Sequence, residues 1–439
     1  MAPTPLAPLS LYREREELGI WEHRGKVAVA GLGCSPTARR WDEKPETSVG
    51  ANTIIAVNKA LEDAGISPEA IDGLVVVPDC TGEPWAPRPI PEDFARTYEP
   101  TDNPNDGISS MSADWLVKNM PELNKVTFAM HAPTCMSKAI VVAAQIVGDG
   151  EANTVLVVRA LNNLSGRYSQ WGFNAMDTAP DRAQWTSPWG WSAAGAAYGY
   201  ALNKYCKKYG SNHDRMAPFI VNQRRNGLMN PDGFFYQHRP DAITAEDYIA
   251  ARWLAKPMNL YDADMPIQVS FAYVFTTADR AKDMKQPPVY ILNHASNVPK
   301  VRSNVQTLDE VEASTDAIAR KVFDGSGITA SDIDVFNPYD GFTLFTQYYL
   351  EGFQWHGVKR GEAHDFWAGD ITVEGPHPFS SSGGNTGSGR TRVWLHNDCI
   401  QQVRGQAGNR QVNNKAEIAV SGAYTPTDSC WTTWSKYPG

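Results

Sequence analysis

The stretch Asn337-Pro338-Tyr339-Asp340-Gly341-Phe342-Thr343 sets a tyrosine beside an aspartate, between the apolar run Ile333-Asp334-Val335-Phe336 and the segment Leu344-Phe345-Thr346-Gln347-Tyr348-Tyr349. The pattern reads as a strand ending and a helix beginning, and sites of α/β proteins gather at strand ends. A free tyrosine has a pKa of about 10. It is protonated at neutral pH, and acts as a base only beside a positive charge or strong hydrogen-bond donors. Tyr339 is therefore a candidate for proton exchange, and Asp340 a candidate to orient the turn or cap a helix. A second stretch, Gly383-Gly384-Asn385-Thr386-Gly387-Ser388-Gly389, is a Gly/Ser/Asn loop whose backbone can come close to a ligand. Gly383, Gly384, Asn385 and Asp340 are taken as substrate contacts. The loop does not match a Walker motif, and no dinucleotide fingerprint follows the first strand. The pairs Lys207-Lys208 and Arg224-Arg225 suit either ligand phosphates or a solvated surface.

The elements that must position these residues alternate. Residues 26–33, 71–79, 125–130 and 153–160 read as strands, and 46–66 and 133–151 as helices with glycines at their ends. From about 161 to 255 the pattern gives way to a long insertion rich in Trp, Tyr, Gly, Asn and Arg, with a helical piece at 193–210. Alternation then returns: strand 287–295, helix 307–327, strand 332–340, helix 390–405, strand 415–423. Such alternation means sheets covered by helices. The two stretches carry similar element orders without a visible sequence repeat. We divide the chain into an arm (1–25), a first half (26–285, containing the insertion) and a second half (286–439).

With 439 residues the chain is too long for one simple core. A net charge of −9 argues against a general nucleic-acid binder or an anionic membrane surface. No apolar run approaches the length of a membrane span, and the N-terminus lacks a signal pattern, so a cytoplasmic protein is expected. The six cysteines form no CxxC, and the nine histidines are scattered, so neither a disulfide framework nor a metal site is expected.

The segment TCMSKAIVVAAQIVGDGEANTVLVV (134–158) resembles the nucleophile segment of thiolases, with Cys135 at the nucleophile position. RALNNLSGRYSQWG (159–172), residues 230–266, GGNTGSGRTR (383–392) and QQVRGQAGNRQV (401–412) resemble the thiolase-like branch related to sterol carrier protein X. Within that branch the chain is most similar to aldolases that shorten steroid side chains as coenzyme A thioesters. The resemblance implies a thiolase fold, with two βαβαβ-type halves in a five-layer αβαβα sandwich, and a homodimer formed through the first half. It also implies an acyl-CoA substrate, no bound cofactor, and a small OB-fold and zinc-ribbon partner giving a heterotetramer.

Departures from the thiolase pattern bear on the reaction. Related thiolases place a histidine where Tyr339 stands, and Gly387-Ser388-Gly389-Arg390-Thr391 lacks the histidine of their Gly-His-Pro turn. Cys430 is a loose match to the second thiolase cysteine. Without an activating partner the Cys135 thiol is mostly protonated at neutral pH. Retro-aldol cleavage of a β-hydroxyacyl-CoA needs no acyl-enzyme, only proton exchange and donors for an enolate oxygen. In the steroid aldolases two tyrosines serve. Tyr339 matches one; Tyr236, in GFFYQHRP, is the better match to the other and Tyr248 the weaker. His238, Arg239 and His294 are candidate helpers. Two other readings stay open: a thiolase or acyltransferase using Cys135, and a non-catalytic acyl-CoA or lipid carrier.

Overall fold

The structure, a computed structural model, describes residues 19–79, 111–132, 135–161, 194–297, 307–413 and 415–439. Most of the expected arm, Cys80 and most of the first part of the insertion lie outside the described residues.

The first half runs β1 (Val27–Cys34), α1 (Val49–Ala64), β2 (Gly73–Asp79), β3 (Phe128–His131), α2 (Met136–Asp149) and β4 (Thr154–Leu161). The insertion contributes α3 (Ala194–Tyr209) and α4 (Ala217–Gly227), and the half closes with β5 (Val269–Thr277). The second half repeats the order: β6 (Val289–Ser296), α5 (Leu308–Ser326), β7 (Val335–Asn337), α6 (Thr346–Phe353), α7 (Gly384–Ser388), α8 (Trp394–Arg404), β8 (Ile418–Thr425) and β9 (Asp428–Ser435).

Local chemistry accounts for the helix limits. Ser48 caps α1 by accepting a hydrogen bond from the Ala51 N–H, and Thr307 caps α5 through Glu310. Both helices stop at a left-handed glycine, Gly65 or Gly327.

The strands lie in the order β3-β2-β4-β5-β1-β6-β9-β8-β7. Only two residue pairs, Ala28–Tyr290 and Val29–Val289, join the halves through β1 and β6. In each half a parallel pair, β2–β4 or β7–β8, is followed by an antiparallel neighbour, β5 or β9. Alternate residues of the strands point into separate cores. Leu74, Val76 and Val274 meet α1 residues Ala56, Val57 and Leu61 on one face. Val75, Val155, Phe275, Val335 and Ala419 meet Ile140 of α2 and Ile400 of α8. Phe336, Val420 and Trp431 meet Ile318 and Val322 of α5. The layers are thus α1, sheet, α2 with α8, sheet, α5, an αβαβα sandwich.

Three expectations change. The strand expected over 332–340 covers only Val335–Asn337, because Pro338 has no N–H to offer the ladder. The helix expected from 390 begins at Trp394, leaving Arg390–Arg392 in a turn where Arg392 has φ 58°. Strands β5 and β9 were not foreseen. Both lie buried almost throughout, so their residues show no amphipathic signal, and Ser and Thr in them pass for loop.

Candidate active site

Three loops meet at the end of β7. The segment 337–343 leaves the strand. The segment 263–268 runs beside it, Asp264 donating its N–H to Gly341 O at 3.0 Å and Ala263 bridging Phe342. The turn 389–393 joins from the other side, Arg390 donating its N–H to Met265 O at 2.8 Å. This stitching brings Tyr339, Asp264, Arg390 and Arg392 together from sequence positions far apart.

Tyr339 is 2% exposed, and Arg392 hydrogen-bonds its side chain. Burial pushes its pKa above the usual tyrosine value, with Arg392 and Arg390 pulling it down and Asp264 pushing it up. At neutral pH Tyr339 is therefore a protonated donor. Gly341 makes room for it: a Cβ there would lie 2.1 Å from Tyr339 Oη and 2.7 Å from Asp264 Oδ2. The two oxygens converge over this glycine and lie no further apart than those two lengths together. Asp264 is buried, and neither carboxyl oxygen has a hydrogen-bond partner among the described residues. Burial pushes its pKa up to about 7, Asp340 adding to the rise while Arg390 and Arg392 oppose it.

Aromatic residues wall the cluster. The Arg392 guanidinium sits 4.7 Å over the Tyr424 ring, a cation–π contact. Tyr424 holds a positive φ of 91°, a conformation costing about 1–3 kcal/mol outside glycine. Tyr198 of α3 packs edge-on to Phe345 at 4.5 Å and tilted against Phe342 at 5.0 Å.

The Asp340 carboxylate is taken up by the loop that starts α7 and by Gln223. Its Oδ1 accepts from the Asn385 N–H at 2.8 Å. Its Oδ2 accepts from Thr386 N–H at 3.0 Å, Thr386 Oγ1 at 2.6 Å and Gln223 Nε2 at 2.8 Å. Burial raises its pKa, and these four donors pull it back toward the carboxylate. It caps the short helix α7 from across the site rather than the helix that follows it in sequence. Gly384 permits this approach, since a Cβ there would fall 2.1 Å from Asp340 Oδ2. Gly383 has φ 68°, and a Cβ on it would meet Gly227 N at 2.2 Å. Asn385 Oδ1 accepts from the N–H groups of Thr391 and Arg392 at 2.9 and 2.7 Å. The Gly383–Asn385 stretch thus shapes the turn that presents Arg390 and Arg392.

The other expected site residues lie elsewhere. Cys135 is fully buried at the N-cap of α2, beside Cys430, whose thiol burial pushes up to about 12. No histidine hydrogen-bonds to Cys135 among the described residues. His396, unforeseen, is fully buried nearby, but its nitrogens meet Ser137 Oγ at 2.6 Å and Ser421 Oγ at 2.7 Å. Burial, followed by Arg159, pushes its pKa down to about 3. Tyr236 is 49% exposed and lines a different hollow of about 280 Å³ with Asp232, Gln401 and Arg410. Tyr248 is buried in a structural knot, its hydroxyl 2.7 Å from His213 Nε2 and 2.8 Å from Asp262 Oδ1. His294 packs edge-on against Trp21 at 5.0 Å, and His238 holds Thr37 O at 2.7 Å. Neither helps Tyr339; Arg392 and Arg390 take that part. The basic pairs serve the fold as well: Lys208 pairs with Glu312, Arg225 with Glu374, and Arg224 covers the Phe235 ring.

A five-layer sandwich built from two like halves, with its loops meeting at the β7 end, is the thiolase fold. The comparisons agree. A family described as Thiolase C-terminal domain-like matches residues 300–430. The chain is 27% identical to the 17-hydroxy-3-oxo-4-pregnene-20-carboxyl-CoA lyase of Mycobacterium tuberculosis, over 92% of this chain and 98% of that one. It is equally 27% identical to the steroid side-chain-cleaving aldolase of Thermomonospora curvata, over 92% and 96%. Among solved structures, the Ltp2-ChsH2(DUF35) aldolase superposes with a TM-score of 0.73 at 22% identity, covering 94% of this chain and 98% of that one. The chain thus has a thiolase-like fold and is similar over most of its length to steroid side-chain-cleaving aldolases.

Proposed function

We propose that the protein is an aldolase that cleaves a bulky β-hydroxyacyl-CoA by retro-aldol reaction to a ketone or aldehyde and a shorter acyl-CoA. The observation that carries this reading is the cluster at Tyr339: a buried protonated tyrosine, hydrogen-bonded by Arg392, at the position where related thiolases place a histidine. The relatives' names point the same way. In a 17-hydroxy-pregnene-20-carboxyl-CoA the hydroxyl is β to the thioester carbonyl, as cleavage of the intervening C–C bond requires. A steroidal side-chain thioester is accordingly the substrate class, and the aromatic wall of Tyr198, Phe342 and Tyr424 suits a bulky apolar group.

Tyr339 would touch the β-hydroxyl, and Arg392 would hold the tyrosine oxygen and favour negative charge there. The fold likeness to an aldolase described together with ChsH2(DUF35) supports a second subunit; the sequence resemblance makes that partner a small OB-fold and zinc-ribbon protein in a heterotetramer built on a homodimer. Among the described residues no helix is long and apolar enough to cross a membrane.

The test is steady-state cleavage of 17-hydroxy-3-oxo-4-pregnene-20-carboxyl-CoA, following ketone and acyl-CoA release. Tyr339→Phe should lower kcat/KM by about 10²–10⁴-fold, the usual reach of a general acid–base group, with thioester binding retained. Full activity in that variant would rule out the role given to Tyr339.

A further inference from the structure

A tyrosine held protonated by burial is a poor proton acceptor, so the hydroxyl proton of the substrate needs another destination. We propose that Asp264 is that destination, receiving the proton through the Tyr339 hydroxyl. This deepens the aldolase reading and rests on it.

Three observations place Asp264 there. Its Oδ2 and the Tyr339 Oη converge over the same hydrogen-bearing face of Gly341, 2.7 and 2.1 Å from the site a Cβ would fill. Both of its oxygens are buried and carry no hydrogen bond among the described residues, although a buried carboxyl is normally satisfied by its own fold. Its backbone is pinned by the bond from its N–H to Gly341 O at 3.0 Å, so the carboxyl stays at the tyrosine. The groups facing it are Tyr339 and Asp340 from the β7 end, and Arg390 and Arg392 from the turn before α8. The two arginines make the carboxylate accessible, whereas burial and Asp340 make the acid accessible. Their balance leaves the group near neutrality, at about 7, where an acceptor works best. Asp340 is no rival for the role, since its four donors occupy it.

The step closes as follows. The substrate O–H bond breaks and its proton goes to Tyr339 Oη, while the tyrosine's own proton passes to Asp264. The electron pair of that O–H bond forms the new C=O bond. The Cα–Cβ pair moves onto the α-carbon and thioester as an enolate. Asp264 then returns its proton through Tyr339 to the α-carbon, which lies two bonds from the departed oxygen. No oxidant or other co-reactant enters. Asp264 does not touch the substrate in this scheme. It positions and recharges Tyr339.

The test is the pH dependence of kcat/KM for the full chain on 17-hydroxy-3-oxo-4-pregnene-20-carboxyl-CoA, for wild type and Asp264→Asn. The wild type should rise with pH through a midpoint near 7, as Asp264 becomes the carboxylate. Asp264→Asn should lose about 10²-fold or more and lose that limb, and Asp264→Glu should recover part of the rate and a shifted limb. A wild-type profile flat between pH 6 and 8 overturns the role even where the asparagine variant does not fold. So does an Asp264→Asn variant within threefold of wild type across the range. Absence of any cleavage by wild type sinks the aldolase reading itself, and this inference with it, so the two failures are told apart.

Discussion

The corner around Cys135 and the corner around Tyr339 start from the same kind of scaffold, a strand-to-helix junction in each of two like halves, and carry opposite electrostatics. At the first, the ionisable groups are driven neutral: Cys430 is pushed up to about 12 and His396 down to about 3. Burial dominates both shifts; His396 meets only serine hydroxyls, and Lys138 beside Cys430 is paired with Asp428. What favours a thiolate there, the N-terminus of α2 and the Lys138 ammonium, does not offset burial at Cys430. At the second corner two arginines and two aspartates surround a tyrosine, and opposing effects leave Asp264 at about 7. The first corner packs a core; the second gathers opposed charges around a buried tyrosine, which is what the proposed proton transfer needs. Repetition of the fold therefore does not repeat the chemistry. What separates the corners is which loops cross the strand end and what charges they bring.

That contrast can be broken directly. Tyr339→Phe and Asp264→Asn carry the largest expected effects, each about 10²-fold or more on kcat/KM. Asp340→Ala tests the claim that this neighbour is scaffold. It would strand the N–H groups of Asn385 and Thr386, Thr386 Oγ1 and Gln223 Nε2. The expected loss is about 3–5 kcal/mol of unfolding free energy in urea denaturation. Unchanged stability with abolished cleavage would instead make Asp340 chemical. Gly341→Ala is subtler, since its backbone angles are not in the left-handed region. Its methyl must displace Tyr339 Oη from 2.1 Å, and a shift of about 1 Å should cost on the order of 10²-fold in kcat. Substrate affinity should change little.

Much of this could be read before any coordinates. Strand–helix alternation and stop signals such as Gly65 placed the elements, because buried strands and amphipathic helices leave local patterns; the resemblance to thiolases supplied the layers. Tyr339 stood out as a titratable group at a strand end. Asp264 did not, since Leu260-Tyr261-Asp262-Ala263-Asp264-Met265-Pro266 carries no periodicity or motif, and its meaning arises only when 263–266 pairs with Phe342 and Arg390. Arg390 and Arg392 hid inside what read as a helix start, where basic residues are unremarked. The partner of Asp340 was likewise invisible: the helix it caps begins at Gly384, on a loop that returns to it only in the folded chain.

The smallest effects separate the two corners most cleanly, because a neutral result is informative where the sequence suggested chemistry. Cys135 is fully buried, with no histidine hydrogen-bonded to it among the described residues, so Cys135→Ala should leave cleavage within about threefold. Its cost should appear in stability, at about 1 kcal/mol for a small buried side chain. Mass spectrometry after incubation with the thioester should find no acyl adduct on the wild-type thiol. Tyr236→Phe removes a hydroxyl from a half-exposed ring at a separate hollow, and should change kcat/KM by no more than about twofold. A large loss there would mean that the hollow beside Arg410 closes on the substrate in the assembled enzyme. The pH profile of the Tyr236→Phe variant would then show whether Asp264 keeps its role: retention of the limb near 7 leaves it in place, and loss of that limb removes it.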